Sequence, residues 1–80
     1  MTENVKKELL HEGLLSIQAS FENMFTYPTI DKVEICYCRV CGKISMLSDL
    51  GIIDIDTYFE LIGKSANFFC QAKKRFKEVA

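Results

Sequence analysis

The chain has 80 residues and a formal net charge of −1, with 49% hydrophobic and 26% charged residues. This length leaves room for one small domain, spanning residues 1–80, and it excludes a multidomain enzyme. The composition lies far from the low hydrophobicity and high charge that are typical of disordered chains. We therefore expect a folded domain with a single core.

The cysteine content and the lengths of the apolar runs indicate in which cellular compartment we expect the protein. The four cysteines, at positions 36, 38, 41 and 70, are too few for a secreted disulfide scaffold, and three of them lie within six residues. Acidic and basic residues are mixed from position 3 onward and no apolar h-region is present, which is unlike a signal peptide. The longest apolar run is residues 35–38, whereas a membrane-spanning helix needs roughly 20 apolar residues. We expect a cytoplasmic protein with reduced thiols and no membrane contact.

The first predicted element is an amphipathic helix over residues 3–25. Apolar residues recur there at alternating spacings of four and three, which places them on one helical face. Thr2 is a suitable N-cap, and Pro28 disfavours helical geometry at the preceding residue. The stripe expected to face the core is Leu10, Leu14, Ile17, Phe21 and Met24.

The second predicted element is a helix that begins near Asp31, because Glu34 three residues later completes a capping pattern. Gly51 suits the left-handed residue that follows a helix, with Ile52 folding back onto the last turn. The expected core stripe is Val33, Tyr37, Val40, Ile44 and Leu47.

A short β-hairpin over residues 33–47, within an α+β fold, is the alternative for this element. Seven of the nine residues in 33–41 are β-branched, aromatic or cysteine, and Gly42 could supply a tight turn. The apolar stripe continues beyond Gly42, however, which favours the helix.

The third predicted element is a helix over residues 57–77, opened by the T-x-x-E capping box at 57–60. It carries two apolar stripes that together cover more than half of its circumference. The first stripe is Ile55, Phe59, Ile62, Ala66, Phe69 and Phe76. The second stripe is Tyr58, Leu61, Phe68, Ala72 and Val79.

These elements predict an all-α fold, a small three-helix antiparallel bundle in which each helix buries one stripe. The second stripe of the last helix is then left over, and leaving it in water would cost stability and favour aggregation. We therefore predict a small non-enzymatic interaction or regulatory protein, an adaptor or inhibitor, that docks onto a protein partner or forms a homodimer. The predicted docking residues are Tyr58, Leu61, Phe68, Phe69, Ala72 and Phe76.

A zinc-stabilised binding module is the alternative function. The C-x-x-C-G-K sequence at 38–43 resembles one half of a zinc knuckle, with Cys38 and Cys41 as ligands. Cys36 and Cys70 are the further candidate ligands, but neither belongs to a second C-x-x-C pair. We therefore expect no cofactor, with zinc as the alternative.

Weak nucleic-acid binding is the second alternative. Residues 47–57 loosely resemble a helix-turn-helix, but Asp54, Asp56 and Glu60 at the start of its reader helix would repel phosphate. A basic cluster near the C-terminus could contact an acidic partner, although bases in a last helical turn also complement the helix dipole. Its members are Lys73, Lys74, Arg75 and Lys77. Nucleic acid is thus a disfavoured partner, and the sequence contains no arrangement typical of a nucleophilic enzyme.

Overall fold

A computed structural model describes residues 1–77, apart from the side chain of Lys77. Its helices are α1 (Glu3–Met24), α2 (Ile30–Asp49) and α3 (Ile55–Lys77), and residues 1–77 contain no strand. The predicted all-α three-helix bundle is confirmed. The alternative hairpin at 33–47 is wrong, because α2 runs through all of it: a continuous apolar face outweighs the local β propensity of its residues.

Side chains at the N-termini of α1 and α2 accept hydrogen bonds from backbone amides that have no partner within the helix. The Thr2 hydroxyl accepts from the Val5 amide at 3.2 Å, as predicted. In α2 the N-cap is Thr29, whose hydroxyl accepts from the Lys32 amide at 3.3 Å. The predicted capping residue Asp31 lies two residues after the observed cap, since Thr29 already has the extended backbone of a cap.

The turn between α2 and α3 is built from two capping motifs. Gly51 has a φ of 71°, and the Ile52 amide donates to the Leu47 carbonyl at 2.9 Å, which is the predicted glycine stop. On the other side, the Asp54 carboxylate accepts from the Thr57 amide at 2.8 Å. Helix α3 therefore begins two residues earlier than the predicted T-x-x-E box.

The helices pack antiparallel in sequence order, with α2 against both neighbours, while α1 and α3 touch over a shorter stretch. Gly13 of α1 lies against Leu47, close to the end of α2. Ten residues of α1 precede Gly13 but only two of α2 follow Leu47, so the first turns of α1 project beyond α2. This stagger gives the described chain a length of 50 Å and cross-sections of 19 and 14 Å.

The core lies along the line where the three helices meet. The predicted stripes of α1 and α2 supply most of it, although Leu14 is exposed and Leu10 and Tyr37 are only partly buried. Ser65 of α3 is fully buried, and its hydroxyl donates to the Leu61 carbonyl at 2.8 Å. The buried apolar residues are Ile17, Phe21, Met24, Val33, Cys36, Val40, Ile44, Leu47, Ile53 and Ala72.

Over residues 1–77, no helix combines the length and the apolar character that crossing a bilayer requires.

Candidate functional site

The predicted docking face of α3 is largely covered inside the chain. Ala72 is 0% exposed, and the other five predicted residues are partly buried against the core. Helix α3 contacts both α1 and α2, so its two neighbours cover residues of both stripes. Among the described residues, the second stripe is therefore not left open as expected, whereas two residues of the first stripe remain exposed.

The aromatic contacts show how this cover is made. Phe68 packs on Phe21 of α1 with ring centroids 4.7 Å apart, and on Phe25 edge to face at 6.0 Å. Phe69 stacks on Tyr37 of α2 at 4.3 Å, with the rings tilted by 7°. Such pairs stabilise a fold beyond their buried area, so these rings hold α3 in place.

The apolar side chains of α3 that do face solvent are at its first turns. Ile55 and Phe59 are 61% and 63% exposed, although both belong to the first predicted stripe. The Tyr37–Phe69 contact between the antiparallel helices puts Phe59 level with the last turns of α2, so the exposure of its ring reflects the direction of the side chain and not the end of α2.

Arg75, predicted as a contact for an acidic partner, is bound within the fold. Its guanidinium donates to the carbonyls of Phe25 at 2.6 Å, Met24 at 2.9 Å and Tyr27 at 3.0 Å. The last carbonyls of a helix lack intrahelical donors, and Arg75 supplies them at the end of α1. The sequence feature that could have indicated this role is that no glycine directly follows α1 to end the helix and satisfy its last carbonyls.

Of the remaining basic residues, Lys73 and Lys74 have different surroundings. The Lys73 ammonium lies 4.8 Å from the ring centroid of Phe69, in a cation–π contact. Lys74 is exposed, and the side chain of Lys77 lies outside the described part of the chain, as does Val79.

The four thiols are spread over two helices. Cys36 is buried, Cys41 is partly buried, and Cys38 and Cys70 are exposed. Gly42 continues α2 instead of forming the turn that a zinc knuckle needs. Among the described residues, no three histidine, cysteine or acidic side chains are grouped to hold a metal ion.

Cys36 lies at the α1–α2 contact, and its thiol points at the Ser20 carbonyl, with the sulfur 3.5 Å from the oxygen. Burial raises the pKa of this thiol, and a hydrogen bond with Tyr27 and the nearby charges of Lys43 and Arg39 oppose that rise. The net effect is a neutral thiol, which behaves as a small apolar core residue.

An open apolar groove runs between α1 and α2 at the end of the bundle that carries the α2–α3 turn. Leu9 and Met46 line its cavity of about 260 Å³ on opposite sides, with Leu47 beneath them. Val5 precedes Leu9 by one helical turn, Leu50 caps α2 four residues after Met46, and both side chains are exposed. We call Val5, Leu9, Met46, Leu47 and Leu50 the end groove.

Two features of the end groove follow from its flanking residues. Gly13 lets α1 approach closely, since a Cβ placed there would lie 3.1 Å from a Leu47 methyl carbon. Glu12 on α1 and Lys43 on α2 line the same cavity, with opposite charges.

A second cavity, of about 470 Å³, follows the α1–α2 contact toward the other end of the bundle. Three cations of α2 line it, and among the described residues that line it there is no carboxylate. We call it the cationic cavity; its lining is Ser20, Tyr27, Lys32, Ile35, Cys36, Arg39 and Lys43.

The sequence analysis missed both cavities. For the cationic cavity a signal was present, because Lys32, Arg39 and Lys43 follow at spacings of seven and four and so share one helical face. The end groove had a weaker signal, since Leu9 and Met46 lie outside both predicted stripes.

Comparisons with protein-family models, with curated proteins and with solved structures find no match to this chain.

Proposed function

We propose that this chain is a small non-enzymatic interaction protein that pairs with a second copy of itself through the end groove. The observation that carries the proposal is the concentration of exposed apolar side chains from two helices around one open cavity. This surface takes the place of the docking residues predicted on α3, because those six residues are buried or partly buried within the chain.

The exposed area of the end groove is large enough to favour association. Met46 is 63% exposed, and Val5, Leu9 and Leu50 are each more than a third exposed. Together they form an apolar patch on the order of 300 Å², the size at which a patch on a small protein often has a function. Removing apolar surface from water contributes about 25 cal/mol per Å². Burial of this patch on both chains would therefore offset much of the entropy that the two chains lose when they pair. The pairing would be weak and reversible, since stable interfaces bury about 800 Å² per partner.

The charges beside the end groove favour a second copy over another protein. A two-fold interface brings each surface patch against its own counterpart, so a residue on one wall meets the opposite wall of the second chain. Glu12 and Lys43 flank the cavity from opposite walls. A two-fold pairing would place Glu12 of each copy near Lys43 of the other, with the apolar walls between them.

We place this activity in the cytoplasm, where the exposed thiols of Cys38 and Cys70 would stay reduced. A reversible dimer of this kind suits a regulatory role, as an adaptor or inhibitor whose availability depends on its concentration.

Sedimentation equilibrium of the wild type and two variants tests the proposal. Met46→Glu places a charge in the end groove, and Phe59→Glu is the matched control because Phe59 is equally exposed on α3. We expect the wild type and Phe59→Glu to associate with a Kd of about 10–100 μM, about −5.5 to −7 kcal/mol. Met46→Glu should remain monomeric at the same concentrations.

Two results would contradict the proposal. A wild type that stays monomeric at about ten times that concentration would remove the second copy as the occupant. Dissociation by Phe59→Glu but not by Met46→Glu would place the interface on α3 instead.

A further inference from the structure

We propose that the cationic cavity between α1 and α2 binds a phosphate group, either as free phosphate or as a small phosphate monoester. Lys43 borders both this cavity and the end groove, but the other residues that line the cavity lie outside the end groove, and the proposal does not rest on the dimer.

The charge of the cavity is the first argument. Lys32, Arg39 and Lys43 all line it, and the described residues of its lining include no acid that would neutralise them. Like charges held around a low-dielectric cleft produce a positive potential that attracts anions.

The acidic residues close to these cations belong to neighbouring surfaces. Asp31 and Glu34 share a shallow depression with Arg39 on the outer side of α2. Glu12 shares the end groove with Lys43. These carboxylates lie outside the lining of the cationic cavity, and they offset only part of its positive potential.

The geometry of the three cations is the second argument. Arg39 and Lys43 are one helical turn apart, and Lys32 lies two turns before Arg39, so their long side chains extend from one face over one opening. A guanidinium presents paired donors that match two phosphate oxygens, and an ammonium adds a point charge.

Lys43 is held in position before any ligand arrives. Its ammonium donates to the Ser16 hydroxyl at 2.7 Å and to the Ser20 hydroxyl at 3.4 Å. A fixed cation loses less conformational entropy on binding than a free one, which favours a site over a diffuse surface attraction.

The remaining lining residues set the class of ligand. A cavity of about 470 Å³ exceeds the volume of a phosphate ion, and Ile35 and the Tyr27 ring supply apolar surface beside the cations. These surfaces suit a phosphate that carries a small organic group. The Ser20 hydroxyl donates to the Ser16 carbonyl at 3.0 Å and accepts from Lys43, so Ser20 positions the Lys43 ammonium.

The test is titration of the full chain with inorganic phosphate, followed by NMR chemical shifts and by calorimetry, with chloride holding the ionic strength constant. We expect saturable shifts confined to the cavity lining. Binding should weaken at least tenfold in Arg39→Gln and in Lys32→Gln, and should be unchanged in Lys7→Gln, which removes an exposed charge on α1. Arg39 and Lys32 are exposed, so these variants should keep the fold.

Adenosine monophosphate and adenosine, titrated in parallel, separate the two sources of the phosphate. Tighter binding of the monophosphate than of inorganic phosphate indicates a monoester, and equal binding indicates the free ion. The proposal is overturned if phosphate causes no more change than chloride, or if Arg39→Gln and Lys7→Gln bind it equally. Retention of phosphate binding by Met46→Glu would show that the cavity acts independently of dimerisation.

Discussion

Replacing Arg75 should destabilise the fold far more than its position near the end of the chain suggests. The substitution Arg75→Met keeps the apolar stem and removes the guanidinium, which donates to the carbonyls of Met24, Phe25 and Tyr27. Three carbonyls at the end of α1 then lose their donors together.

The magnitude follows from the burial of these contacts. A hydrogen bond to a charged group contributes about 1.5–3 kcal/mol, but water can replace the bond to the exposed Phe25 carbonyl. The bonds to Met24 and Tyr27 are partly buried and are replaced less well. We therefore expect a loss of about 2–4 kcal/mol in the free energy of unfolding. An 80-residue domain has about 4–12 kcal/mol in total.

Thermal and urea unfolding, followed by circular dichroism, measure this loss. At about 4–8 °C per kcal/mol the expected decrease in Tm is roughly 8–32 °C. Lys74→Met is the matched control, since it removes the same charge from the exposed neighbouring residue. Arg75→Lys retains the positive charge but not the planar set of guanidinium donors. Its free energy of unfolding should therefore exceed that of Arg75→Met by less than half of the loss. Equal stability of Arg75→Met and Lys74→Met would refute this account of Arg75.

Other substitutions test the glycines, a cap and a thiol. Gly63→Ala should stabilise the fold by about 0.5–1 kcal/mol in urea unfolding, because the new methyl group meets no atom. Gly51→Ala should destabilise it by about 1–2 kcal/mol, because φ is 71° there. Hydrogen bonds from Thr57 hold the pKa of the Asp54 carboxyl group below its ordinary 3.8. The contribution of this carboxylate to folding stability is therefore present above pH 3.8 and is lost as the pH falls through the folded pKa. Asp54→Asn should therefore flatten the acid limb of a stability–pH profile. Timed alkylation followed by mass spectrometry should label Cys38 well before Cys36, whose pKa is raised by burial.

Opposite outcomes would correct specific parts of the structure. A stabilising Gly51→Ala would contradict the left-handed turn, and an unchanged acid limb in Asp54→Asn would remove the carboxylate from the cap. Alkylation of Cys36 as fast as Cys38 would show that the α1–α2 contact opens readily.

The helices could be predicted from the sequence because their signals are local. Apolar periodicity located α1 and α2, and the glycine stop at Gly51 was recognised from residue type alone. Competing caps could not be ranked in this way, since Thr29 and Asp31 are both good N-cap residues. The extended backbone of Thr29 decides between them, and it depends on how the chain leaves α1.

The sites depend on distances across the bundle, which periodicity does not contain. The two stripes of α3 were identified correctly as apolar. How far they are buried depends on the contacts of α3 with two helices, as the Phe21–Phe68 and Tyr37–Phe69 pairs show. Arg75 resembled any solvated base in a last turn, because its acceptors lie 48 to 51 residues earlier in the chain.

That long separation has a consequence for synthesis on the ribosome. The carbonyls that end α1 are made early, whereas the guanidinium that satisfies them is added 48 to 51 residues later. A nascent polypeptide can form α1 and α2 but must leave the end of α1 open to water until α3 has been made as far as Arg75. Closure of the bundle during synthesis therefore waits for one side chain of the last helix.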